Sequence, residues 1–416
     1  MQVELVIAIF GSIILIGYLG ELISKKFNIS SVLLLLAVGL VLRLSGYADL
    51  AVLTSFQSIF GTLALIVILF DGGLSMNLQS LSKGGRILFL GAFITIVSIV
   101  VCALFFQYVF GVDPLIGAIF GAIAGGIGST TTVSIVKSLS LPKEVGNFLT
   151  LESSITDVFS IILTIVLTQA LIGGTLDLSF IFQNVLSRFS NGLLLGVVFG
   201  LLTLKFLSFV KKGYIYIVTF AILLLLYSTT DYFGGSSAVA ILAFGIIFGN
   251  DSSIREVLKF KVGEGSFIIK DMHAEISFFI RTFFLVFLGI VVTLGSLSTF
   301  IQTSALMVLL YLIRFASIKI TTFKSDLSQF NGILTAINPR GLATAVLATY
   351  PLAEVAKILP NNPSLSGINN QLGILPQICF YIILISLVVT SILIPLFYKK
   401  PSKVDASEAD ESVDFS

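Results

Sequence analysis

Two carboxylates, Glu152 and Asp157, stand in the stretch Thr150 to Ser160, inside a run otherwise apolar enough to cross a bilayer. A charged side chain at bilayer depth costs several kcal/mol unless it is paired or used, so such residues mark ion and proton pathways. On a helix Ser153 and Asp157 are four apart and share a face. Glu152 and Thr156 share an adjacent face, about 100° round. Ser153 and Asp157 therefore address one cavity, and Glu152 addresses a different neighbour. A carboxylate, a hydroxyl and nearby backbone carbonyls form an all-oxygen set that suits a hard cation. The plainer alternatives are an interhelical ion pair for Asp157 and a small packing residue for Ser153.

Glu152 needs a buried counter-charge. Arg281, Arg314 and Arg340 are the candidates. Depth, reckoned at about 1.5 Å per residue, places Arg281 and Arg314 equally well and does not separate them. Arg340 lies deeper, where it can offset the dipoles of converging helix ends. Asp71, in Phe70-Asp-Gly-Gly-Leu-Ser75, closes an apolar run and reads either as an accessory site residue or as a helix-end residue. His273 is the single histidine and reads as an interfacial polar residue. Cys102 and Cys379 read as small core residues. One histidine and two isolated cysteines assemble no zinc site. The chain has no phosphate-binding glycine loop with its Lys-Ser/Thr ending. An ATP-driven pump and a membrane hydrolase are therefore disfavoured, no cofactor is expected, and no nucleic acid partner is expected.

The elements that must position these residues are membrane helices. The chain has 416 residues, of which 56% are hydrophobic and 11% charged. A soluble domain carries about 25% charged residues. Runs of about 20 apolar residues mark spans. They fall near 3–23, 29–46, 54–74, 86–110, 114–137, 144–171, 188–210, 213–232, 236–249, 273–296, 299–320, 329–350 and 372–397, which predicts an all-α membrane protein of about thirteen helices. The first run is too long for a signal-peptide core and lacks a basic leader, so no cleavable signal is expected. With the N-terminus outside, Lys25, Lys26, Lys83, Arg86, Lys211 and Lys212 fall inside, and only Arg43, Arg188 and Lys357 fall outside. The bias of basic residues toward the cytoplasm favours that orientation and a cytoplasmic C-terminus. Residues 399–416 read as a polar, acidic, disordered tail, with no soluble regulatory domain after the last span. The loop 250–272 reads as a solvated basic loop or a short interfacial helix.

Two spans carry breaks. Span five contains Gly125-Gly-Ile-Gly-Ser-Thr-Thr-Thr132, and span twelve contains Asn338-Pro-Arg-Gly341. Proline removes a backbone donor and restricts the residue before it. Irregular backbone at membrane depth persists only inside protein or beside a cavity. Each break alone reads equally as a kink. Taken together, with spans 1–6 and 8–13 as inverted repeats, they occupy equivalent positions and point to a transporter's ion site.

At this point the chain resembles the monovalent cation:proton antiporters, on the NhaP and NHE side of that superfamily. Phe70-Asp-Gly-Gly-Leu74, Glu152-Ser-Ser-Ile-Thr-Asp157, Thr282 to Gly289, Leu312-Ile-Arg-Phe315 and Pro339-Arg-Gly-Leu342 match its elements in order and spacing. The resemblance implies two crossing broken helices, elevator-like alternating access, a core formed by about 86–171 and 299–397, and a dimerisation part formed mainly by about 1–74 and 188–296. It implies Asp157 as the group that takes cation or proton, Ser153 as a cation ligand, and Glu152–Arg314 as a structural ion pair. Thr156 stands where the signature has Asn, and Gly128 stands where many members have a second aspartate. The hydroxyls Ser129, Thr130, Thr131 and Thr132 nearby are similar to those of the potassium-efflux branch. The implied function is electroneutral 1:1 exchange of Na⁺ or K⁺ for H⁺ by a homodimer in the lipid of the cytoplasmic membrane. The alternatives are a K⁺/H⁺ efflux protein and, in a different mechanism class, a cation channel.

Overall fold

The computed structural model describes residues 3–27, 31–45, 50–76, 85–139, 141–173, 178–258, 265–292 and 295–398, and every regular element among them is helical. The tail 399–416 and part of the loop 250–272 lie outside the described residues. Seven helices among those described are long and apolar enough to span a bilayer, and five shorter apolar helices accompany them.

The chain begins with α1 (Val3–Phe27), α2 (Ser31–Leu44) and α3 (Leu50–Ser75). Next come α4 (Gly85–Phe105), α5 (Pro114–Gly125), α6 (Ser129–Leu139) and α7 (Lys143–Gly173). The middle holds α8 (Leu178–Phe206), α9 (Ile215–Tyr232), α10 (Ser237–Gly249), α11 (Asp251–Leu258) and α12 (Gly265–Val291). The last stretch is α13 (Leu297–Thr321), α14 (Asn331–Ala336), α15 (Leu342–Leu347), α16 (Tyr350–Ile358), α17 (Ser366–Leu372) and α18 (Ile374–Phe397).

Packing sorts these helices into two sets. In one, α10 lies against α3, α8 and α9, and α12 lies against α2 and α3. In the other, α5 lies against α4 and α7, while α13 joins α4 to α18. The sets meet chiefly where α3 touches α7, α15 and α16. In the first set, α10 is a short helix that backs closely onto α3. A Cβ on Gly73 would lie 2.7 Å from the Cα of Gly245, so only glycine permits this approach.

The two breaks expected from the sequence are both present. Helix α5 ends at Gly125, whose successor Gly126 is extended with φ −84° and ψ 157°. Helix α14 ends at Ala336, and residues 337–341 run without helix before α15. The two non-helical segments touch each other. Gly128 N–H donates to the Pro339 carbonyl at 2.8 Å. On the other side of the second segment, Asn338 N–H donates to Thr390 Oγ1 at 3.4 Å and Arg340 N–H to Ser386 Oγ at 2.9 Å. Alternate residues of an extended chain present their backbone groups to opposite sides. Proline therefore stands at the position whose missing N–H would have faced the crossing, where its carbonyl alone is needed.

The crossing is asymmetric in its tolerance. A Cβ on Gly128 would fall 2.9 Å from the backbone N of Gly341, whereas a Cβ on Gly341 meets nothing closer than 3.4 Å. Forcing atoms into a packed site costs about 1–3 kcal/mol. Gly128→Ala is thus expected to lower the thermal midpoint of the purified protein clearly, and Gly341→Ala to lower it little. Equal losses in the two variants would contradict this account of the contact.

Candidate functional site

Asp157 lies in the middle of α7, where the helix passes the first break. A helix that begins anew at Ser129 leaves its first amide hydrogens without helical partners. Three consecutive amides find partners outside their own segment. Ile127 N–H donates to Thr156 Oγ1 at 3.2 Å, Gly128 N–H to the Pro339 carbonyl, and Ser129 N–H to Asp157 Oδ2 at 3.1 Å. Asp157 thereby sits at the positive end of α6, which favours a negative charge there. A carboxylate has about four acceptor positions, so lone pairs remain for a proton or a cation.

Thr156 has a larger part than its position on the helix suggested. The sequence places it on the face of Glu152, away from Asp157. In the structure it is buried, and its hydroxyl holds the amide of Ile127 while donating to the Ser153 carbonyl at 3.2 Å. The unwound segment wraps far enough round α7 to meet both faces. Gly126 makes this possible, because a Cβ there would fall 2.9 Å from the Thr156 carbonyl oxygen. Ser153 is fully buried, and its hydroxyl donates to the Thr150 carbonyl at 3.0 Å. Its oxygen keeps its acceptor capacity. Thr131 is buried beside Gly341. Thr130 belongs to α6, but its side chain lies outside the described residues.

Glu152, one residue before Ser153, turns the other way and meets Arg314 of α13. Arg314 Nη1 lies 2.6 Å from Glu152 Oε1 and Nη2 lies 3.1 Å from Oε2, a two-pronged pair with both side chains buried. The same guanidinium donates through Nε and Nη2 to the Leu334 carbonyl, at 3.2 Å and 2.7 Å. Leu334 is in the last full turn of α14, so Arg314 both neutralises Glu152 and satisfies a carbonyl at the second break. Leu90, Ile94, Leu149, Ile318 and Ile333 pack around this end as a separate apolar cluster.

The other two arginines go elsewhere. Arg281 lines a cavity of about 660 Å³ together with Glu21, Asp71 and His273. His273 differs from the sequence expectation: it is 2% exposed, with Nδ1 3.2 Å from Tyr216 OH and Nε2 3.9 Å from Asp71 Oδ1. The edge-on ring of Phe70, 4.9 Å away, helps to enclose it. Asp71 thus has His273 as its nearest partner. Arg340 is buried at the second break, and its Nε and Nη1 have no hydrogen-bond partner among the described residues. Asn338 shares this condition: it is fully buried, and neither amide atom has a partner there. Sequence reasoning treated Asn338 only as part of a helix-breaking motif. A polar amide beside a proline in an apolar span was the available signal.

Removing one partner of a buried ion pair costs about 3–5 kcal/mol, because the other charge is left stranded. Glu152→Gln and Arg314→Ala are each expected to lower thermal stability by an amount in that range. Arg314→Lys is expected to rescue only in part, since one ammonium cannot span two carboxylate oxygens and a carbonyl. Unchanged melting in both truncating variants would remove the pair from the scaffold.

Known proteins match this arrangement over most of its length. The family described as sodium/hydrogen exchanger, transmembrane, matches residues 11–400. A K(+)/H(+) antiporter NhaP2 of Shewanella oneidensis is 25% identical over 341 residues, covering 79% of this chain and 57% of that protein. A probable Na(+)/H(+) antiporter 2 of Methanocaldococcus jannaschii is 27% identical over 382 residues, covering 84% of this chain and 88% of that protein. The chain spans just over half the length of the Shewanella relatives. The fold is that of the sodium proton antiporter MjNhaP1 from Methanocaldococcus jannaschii at pH 8, with a TM-score of 0.75 at 20% identity, covering 94% of this chain and all of the other. With the family's match running through both breaks, α7 and the ion pair, the chain belongs to the sodium/hydrogen exchanger family.

Proposed function

We propose that this protein is a secondary antiporter that exchanges a monovalent cation, Na⁺ or K⁺, for H⁺ across the cytoplasmic membrane. The observation that carries the reading is Asp157, a carboxylate held at a helix break by a hydrogen bond from the Ser129 N–H, with acceptor positions to spare. Proton and cation are alternative ligands of that one group, so binding either displaces the other. Ser153, the hydroxyls Thr130 and Thr131, and the backbone near Gly128 supply neutral oxygens around it. Glu152 and Arg314 hold the two breaks at a fixed spacing, and Arg340 compensates the helix ends. Asp71 and Thr156 are accessory.

The two packing sets support an elevator-like division of labour. The set with both breaks (about 86–171 and 299–397) is the moving core. The other set (mainly about 1–74 and 188–296) forms the dimerisation part of a homodimer embedded in lipid. The N-terminus is outside and the C-terminus cytoplasmic, as the lysine bias favours. With Gly128 instead of a second acid at the crossing, one site carries one cation or one proton, which supports electroneutral 1:1 exchange. The K⁺-selective version draws support from the hydroxyl-rich start of α6 and from the similarity to K(+)/H(+) antiporters NhaP2 of Shewanella.

The test is proton flux in proteoliposomes driven by imposed gradients of Li⁺, Na⁺ or K⁺ in turn. At least one cation is expected to drive protons the opposite way, with an imposed membrane potential leaving the steady-state gradient unchanged. Competition for Asp157 predicts that lowering pH raises the apparent Km for the cation, and that high pH slows turnover for want of protons to return, giving a bell-shaped profile. Cation flux that moves no protons would identify a channel and overturn the proposal.

A further inference from the structure

One polar cluster shares no residue with the surroundings of Asp157. It forms where α16 of the core set approaches α9 of the other set. Lys357 Nζ lies 2.7 Å from Glu354 Oε1 on its own helix and 3.4 Å from Tyr227 OH on α9. The same ammonium lies 5.7 Å from the centre of the Tyr227 ring. Arg188, Asp231, Tyr350 and Glu354 surround a small polar hollow beside it, with room for about one water.

Apolar packing joins the sets deeper in, where Val346, Leu347 and Val355 share a core with Leu65, Ile66 and Phe284. Immediately next to the cluster, a cavity of about 420 Å³ opens between the sets, lined by Gly61 and Thr62 of α3, Phe284 and Phe287 of α12, and Ala353 of α16. Tyr227, Tyr350, Glu354 and Lys357 line it as well. A Cβ built on Gly61 meets no atom within 4 Å, so the space there is open. At the edge of this void the Lys357–Tyr227 contact bridges the two sets. Its type suits a tie that must be released in every cycle. A part-exposed lysine over an aromatic ring is weak, and an ion pair within one helix turn stays with the core when the core moves.

We infer that Lys357 is an outer clasp: held upright by Glu354, it binds Tyr227 of the dimerisation part and closes the outer end of the boundary between the two sets in the conformation seen here. Opening of the site to the outside requires that Lys357 leave Tyr227 and that the cavity beside it widen. The inference rests on the alternating-access reading and on the orientation given above, and it assigns to Lys357, Glu354 and Tyr227 control of the balance between conformations rather than of ion binding.

The test uses the full chain in proteoliposomes, with Gly61→Cys as a reporter lining the cavity. Its rate of reaction with a membrane-impermeant maleimide added outside is measured with and without transported cation. Lys357→Ala is expected to raise the rate about two- to fivefold, the size expected for one part-exposed cation–π contact. Tyr227→Leu is expected to give the same rise, Tyr227→Phe a smaller one, and the double variant Lys357→Ala/Tyr227→Leu no more than either single change. Additive rises, or no rise in a reporter that still responds to cation and pH, would overturn the clasp. A reporter whose rate ignores cation and pH in the otherwise unchanged protein would instead overturn the alternating-access reading itself.

Discussion

Three adjacent amide hydrogens, at Ile127, Gly128 and Ser129, have no partner in their own helix, and the whole crossing is arranged around where they go. Inside a membrane an unsatisfied backbone group costs several kcal/mol. Here one amide goes to a threonine hydroxyl, one to a proline carbonyl on the opposite break, and one to Asp157. The first bond fixes the unwound segment to α7, the second locks the two breaks together, and the third sets the carboxylate at the start of α6. Loss of helix and creation of a site are therefore one event. The break needs acceptors, and one of the acceptors supplied is the carboxylate of Asp157.

Holding that geometry requires rigidity that flexible glycine segments do not provide. Glu152 and Arg314 supply it from the opposite side of α7. Their pairing is costly to create in an apolar setting, and it is stable because the guanidinium has every strong acceptor it needs: two carboxylate oxygens and the Leu334 carbonyl. The pair links the helix that bears Asp157 to the helix before the second break. The boundary between the two packing sets combines a shared apolar core with a void at its edge.

The helical fold and the two breaks were legible in the sequence because their causes are local: apolar run length, glycine clusters and a proline each act on their own segment. Asp157 was legible because a carboxylate in an apolar span is conspicuous. What escaped was set by helix rotation and packing. Depth placed Arg281 and Arg314 alike, since it measures one coordinate and pairing needs three; only the resemblance to known antiporters separated them. Thr156 was assigned by an ideal helical wheel, which does not describe a neighbour that unwinds and wraps. His273 was read as interfacial from its place at the start of a span, but Phe70 and Tyr216 from other helices enclose it. The near contact of α3 and α10 at Gly73 and Gly245 leaves no trace beyond two glycines in apolar runs.

The central claim is that one carboxylate takes either a proton or a cation. Proton release on cation binding, followed in weakly buffered solution with the purified protein, tests it most directly. The account predicts a release approaching one proton per protein when Na⁺ or K⁺ is added to the wild type, and none from Asp157→Asn that melts as a folded protein. Wild-type-like proton release from that variant would place the exchanging group elsewhere and contradict the account.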